Sequence, residues 1–126
     1  MAEKGKAAVY LGRGIPFEIR EYPVPDPEPG AIVLKVRCAN ICGSDMHMWR
    51  GETDLAALGA PLPAILGHEM LGTVAKLGKG VITDSAGQPL SEGDRVVHRY
   101  FYPCGRCRAC VKGDDPACPM APLAVV

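Results

Sequence analysis

Cys104, Cys107, Cys110 and Cys118 are separated by two residues, two residues and seven residues, a spacing that lets one short loop wrap a single tetrahedral ion. Zinc in closed structural sites takes four thiolates at about 2.3 Å, and this run needs no ligand from a distant strand. Two other readings of the four cysteines stay open. They could be buried or disulfide-bonded thiols. They could also bind iron and sulfide, because the two-residue gaps and the Pro119 after Cys118 match a bacterial cluster run, although seven residues instead of three precede the last cysteine. Arg106, Arg108 and Lys112 in the same loop are solvated charge that offsets the excess negative charge of a four-thiolate site.

A second set of chemically capable residues is Cys42, His68 and Glu69. A catalytic zinc keeps three protein ligands and an open position, so Cys42 and His68 need a third ligand, either Glu69 or a residue elsewhere. Ser44 and His47 are three apart and so share a helix face just after Cys42. A hydroxyl accepts and donates while an imidazole titrates near neutrality, so this pair can pass a proton from an alcohol to solvent. Asp45 is placed to accept the distal N–H of His68 and fix its tautomer. The plainer alternatives are a core thiol and a satisfied histidine for Cys42 and His68, and a helix cap and a surface histidine for Ser44 and His47.

The elements that must carry these groups fit one domain of 126 residues with a sizeable core. Lysine plus arginine and aspartate plus glutamate number 14 each, and this balance argues against a nucleic-acid partner. No apolar run reaches signal-peptide or membrane-spanning length, so a soluble, cytoplasmic protein is expected, with no membrane partner. In a reducing compartment six cysteines are better read as ligands or buried thiols than as disulfides.

Fifteen glycines and twelve prolines punctuate short apolar segments, which points to a β-rich chain with many turns and no internal repeat. Lys6–Leu11 and Phe17–Tyr22 read as a first strand pair, and 23–30 as a rigid loop. Ile32–Cys38 follows as a strand in which Leu34, Val36 and Cys38 alternate with Lys35 and Arg37, making Cys38 a buried structural thiol. Ser44–Arg50 reads as a short helix, capped by Gly43 or Ser44 and ended by Gly51. Pro61 and Pro63 force an irregular approach to Gly67. Leu71–Leu77 and Gly93–Tyr102 read as strands, the second with Val96, His98, Tyr100 and Tyr102 on one face.

Taken together, Cys42-Gly43-Ser44-Asp45-Met46-His47, Gly67-His68-Glu69-Met70-Leu71-Gly72 with Gly78 and Val81, Gly93-Asp94-Arg95-Val96-Val97 and the four-cysteine loop resemble the zinc-dependent medium-chain alcohol dehydrogenases. The resemblance runs from about Lys6 to Cys118, and all four motifs occur in order. It implies a mainly β fold, the GroES-like partly open β-barrel with short helices and a structural zinc lobe. It implies two Zn2+ sites: a catalytic zinc held by Cys42 and His68 with Glu69 close by, and a structural zinc on Cys104, Cys107, Cys110 and Cys118. Ser44 and His47 would form the proton relay, Asp45 would orient His68, and Tyr100 and Trp49 would line the pocket of a small alcohol or carbonyl substrate. Hydride would pass to NAD or NADP in the complete enzyme.

No strand followed by a Gly-x-Gly-x-x-Gly turn occurs in the sequence, and the family's third zinc ligand beyond the lobe is not found. The expectation is therefore a catalytic-domain portion spanning 1–126, without the cofactor domain, that binds zinc and oxidises no alcohol by itself. Uncovered barrel edges would favour self-association or a homo-oligomer. The alternative is a non-catalytic zinc-binding or assembly module that keeps the fold. A zinc-ribbon nucleic-acid binder fits poorly, because ribbons separate their cysteine pairs more widely.

Overall fold

The computed structural model describes residues 3–100 and 103–119, which are mostly sheet with few helices. Two three-stranded sheets are present among them. In the first, β1 (Lys4–Tyr10) lies between β2 (Glu18–Pro23) and β4 (Ala64–Ile65); in the second, β5 (Met70–Leu77) lies between β3 (Ile32–Ala39) and β6 (Arg95–Val97). All pairings are antiparallel. The helices are α1 (Gly43–Arg50) and the four-residue α2 (Arg108–Val111), followed by a 3-10 turn at Asp115–Ala117. No helix among the described residues is long and apolar enough to cross a membrane.

The expected hairpin forms, with Lys4 opposite Pro23 and Val9 opposite Glu18. The far edge of β1 is covered by β4, a two-residue strand hidden in the proline-rich approach, which places Ala64 opposite Tyr10. Val9 and Tyr10 are buried there, as are Leu55 and Ala64. Burying Tyr10 requires a partner for its hydroxyl, and it donates to the Met48 carbonyl at 3.0 Å, tying the first sheet to α1.

The second sheet departs from the period-two expectation. Leu34 and Val36 lie opposite Val74 and Gly72, but the register shifts after Val36 so that Cys38 lies opposite Leu71. Exposure at this end of β3 does not follow one face: Val36 is 51% exposed, and every residue from Lys35 to Ala39 is exposed. Cys38 is exposed, which corrects its reading as a buried thiol.

β6 is also shorter than the expected strand, because its partner β5 begins at Met70 and the last ladder-like bond runs from the His98 N–H to the Met70 carbonyl. Beyond it Arg99 pairs with Asp115 and the chain turns into the cysteine loop. Tyr102, expected on the same strand face, lies outside the described residues.

Helix α1 starts one residue earlier than expected, with Cys42 as its N-cap in place of Gly43 or Ser44. The reason is Asp45, which at the third helical position accepts the Cys42 backbone N–H at 2.8 Å and satisfies a donor the helix cannot use. Gly51 closes the helix in the left-handed region at φ 73°, a conformation that glycine adopts without a Cβ penalty.

Candidate metal centres

Cys42 is fixed by two adjoining elements. β3 delivers the chain to Asn40, whose N–H bonds the Glu69 carbonyl at 2.9 Å, and α1 begins immediately after Cys42. His68 and Glu69 sit just before β5, so the ladder between β3 and β5 brings the two ligand-bearing segments side by side. One ligand atom from each of Cys42, His68 and Glu69 lies within 4.8 Å of the other two. In a tetrahedral zinc shell such atoms stand about 3.3–3.6 Å apart, so only a small inward closure separates the observed cluster from a binding set.

The surroundings suit a metal-directed histidine. Asp45 Oδ1 is buried without a hydrogen-bond partner and lies 3.7 Å from His68 Nδ1, so an N–H on that nitrogen is the donor it needs. The His68 and Tyr100 rings pack edge-to-face, 4.9 Å between centroids and 64° between planes. Glu69 is exposed, and its Oε2 accepts a bond from Asn40 Nδ2 at 2.9 Å.

Cys42, Ser44, His68 and Tyr100 all line one cavity of about 820 Å³. Its remaining wall is largely apolar and includes Met48, Leu55, Leu58 and Ile65. Trp49 is not among the described residues that line it and is 44% exposed.

His47 also lies off the cavity wall, and its Nδ1 contacts the Glu52 carboxylate. The helix end explains this contact. The backbone N–H groups of Glu52 and Thr53 both bond to the His47 carbonyl, at 2.9 and 3.2 Å, which folds Glu52 back over the imidazole. The hydrogen bond from His47 holds the Glu52 carboxyl below its ordinary range, with weaker help from Arg50.

The second cluster is the cysteine loop. Cys107 caps α2 and Cys110 lies one turn further on, with their sulfurs 3.4 Å apart; Cys104 Sγ is 4.0 Å from Cys110 Sγ. The 3-10 turn returns Cys118, whose sulfur accepts the Cys104 N–H at 3.4 Å. Ligand atoms of all four residues lie within 4.8 Å of one another. The edge of a zinc–thiolate tetrahedron is about 3.8 Å, a separation that the four sulfurs approach. Desolvation, reinforced by the hydrogen bonds of its thiol neighbours, pushes Cys110 up to about 12.

Asn40, Met48, Glu52 and the 53–66 segment of the cavity wall were not found from sequence. Asn40 lies beyond a strand end and Glu52 beyond a helix end, where periodicity carries no signal.

The profile of the alcohol dehydrogenase GroES-like domain family matches residues 28–125. Over 98 residues the chain is 43% identical to the 5-exo-hydroxycamphor dehydrogenase of Pseudomonas putida, covering 78% of this chain and 26% of that protein. Among solved structures, an alcohol dehydrogenase of Thermotoga maritima superposes with a TM-score of 0.80 at 34% identity, covering 94% of this chain and 31% of its own. A cobalt- and zinc-bound thermostable alcohol dehydrogenase of Pyrobaculum aerophilum superposes with a TM-score of 0.79 at 27% identity, covering 98% and 35%. The chain thus spans about a quarter to a third of the length of these relatives.

Proposed function

The chain belongs to the alcohol dehydrogenase GroES-like domain family, and from that premise we propose that it is the zinc-binding catalytic-domain portion of an NAD(P)-dependent alcohol dehydrogenase. On this reading residues 1–126 form one GroES-like unit, with the two sheets as parts of a partly open barrel. The observation that carries it is the convergence of Cys42, His68 and Glu69, the first two of which line a cavity together with Ser44.

Cys42, His68 and Glu69 would hold the catalytic zinc, and Cys104, Cys107, Cys110 and Cys118 the structural one. When bound, zinc supplies the Lewis acidity that makes an alcohol a better proton donor, and NAD(P) supplies the hydride acceptor. Asp45 orients the His68 ring. Ser44, which lines the cavity, would take the substrate proton, and His47, one helical turn on at the exposed end of α1, would relay it to solvent. The apolar wall made by Met48, Leu55, Leu58 and Ile65 excludes water and packs the carbon skeleton of a small alcohol or carbonyl substrate.

The test is zinc stoichiometry together with turnover. Two zincs per chain are expected, and Cys42→Ser should lose one while keeping the other. A polypeptide that carries this region together with a nicotinamide-binding region should reduce NAD or NADP in the presence of alcohol, and Cys42→Ser should abolish that reaction. A single zinc unaffected by Cys42→Ser would instead favour a non-catalytic zinc module.

A further inference from the structure

β3 ends at Ala39 opposite Met70, yet the pairing continues for one more residue through Asn40. The Asn40 backbone N–H donates to the Glu69 carbonyl at 2.9 Å, and its side-chain Nδ2 donates to Glu69 Oε2, also at 2.9 Å. One residue therefore holds both the main chain and the carboxylate of Glu69, and it lies two residues before Cys42. We propose that Asn40 is a positioning residue for the Cys42–His68–Glu69 site, clamping the Glu69 carboxylate within reach of a bound metal. The inference rests on the reading of those three residues as ligands.

Three features support the clamp. Glu69 is exposed, so without a partner its long side chain would sample many rotamers in water, and each would have to be given up on binding. An amide is the right partner because it donates without adding charge, leaving the carboxylate ionised and most of its lone pairs free for a cation. Finally, the amide and the Cys42 thiol ride on the same three-residue segment, 40–42. Movement of the 40–42 segment as a unit relative to Glu69 therefore works against both Asn40 bonds. Hydrogen-bond partners of this kind orient metal ligands, and losing one typically weakens binding 10–100-fold.

The test measures Co2+ and Zn2+ affinity at the two sites of the protein by competition with a chromophoric chelator, with the visible Co2+ spectrum reporting ligand geometry. Asn40→Ala keeps the backbone bond and removes the amide. It should weaken the Cys42 site about tenfold and shift its Co2+ spectrum, leave the four-cysteine site unchanged, and add no further loss in a Glu69→Ala background. Wild-type affinity in Asn40→Ala would overturn the clamp, as would an equal loss with and without Glu69, since that loss would act through the fold. If Cys42→Ser leaves the metal count unchanged, the ligand reading itself fails and the clamp with it.

Discussion

Asp45 Oδ1 lies 3.7 Å behind His68 Nδ1, while Oδ2 of the same carboxylate accepts the Cys42 N–H at 2.8 Å. One side chain thus sets the start of α1 at Cys42 and faces the imidazole beside it. Asp45→Ala should cost about 1 kcal/mol of folding stability through the lost cap and weaken metal binding at the Cys42 site about 10–100-fold through the lost histidine partner. Asp45→Asn should separate the two effects, because an amide oxygen still caps a helix but can no longer offer a second charged acceptor to His68. Near wild-type unfolding with weakened zinc competition is the expected pair of results. Unchanged zinc affinity in both variants would show that Asp45 acts only as a cap.

Lys76 Nζ donates to Asp26 Oδ1 at 2.7 Å, joining the loop after β2 to strand β5. The hydrogen bond first, and the charge of Lys76 second, hold the Asp26 carboxyl below its ordinary range. A carboxyl lowered in the folded state favours folding above its unfolded value, and that contribution is lost as pH falls through the folded value. Both groups are at the surface, so the effect on stability is small and reduced by salt. An NMR titration should show the Asp26 midpoint rising toward an ordinary carboxylate in Lys76→Ala and in high salt. A midpoint insensitive to both would exclude the pair as the cause.

The two clusters of ligand-type residues were legible in the sequence because such clusters depend on residue type at fixed spacing, as in the run from Cys104 to Cys118. The hairpin, β3, α1 and β5 were legible because their apolar periods and turn residues agree. What escaped was decided across strands. β3 is exposed on both faces from Lys35 to Ala39, so the alternation of Leu34, Val36 and Cys38 with charged residues does not report burial of Cys38. β4 is only two residues long and owes its existence to the open edge of β1. Trp49 and Met48 are adjacent on one short helix, and the bond from Tyr10 to the Met48 carbonyl, which helps seat that helix, is a tertiary contact that periodicity does not report.

Gly78 is a steric necessity at the end of β5. A Cβ built there would stand 2.1 Å from the Glu28 carbonyl oxygen and 2.6 Å from that of Ala31, and both contacts are backbone, which cannot swing aside. The same turn is closed by the Gly78 N–H bond to the Ala31 carbonyl at 2.8 Å and the Ala31 N–H bond to the Glu28 carbonyl at 3.0 Å, so relieving the clash would break one or both. Gly78→Ala should therefore destabilise the fold by about 3 kcal/mol or more. Gly43 is the matched control. Among the described residues, nothing beyond its chain neighbours and its own helix backbone lies within 4 Å of its built Cβ, and it occupies the first position of α1, where alanine restricts the unfolded chain without strain. Gly43→Ala should be neutral or stabilising by up to about 1 kcal/mol. Chemical denaturation of the two variants checks the contrast, and equal midpoints would show that the approach of the 28–31 loop to Gly78 does not constrain the fold.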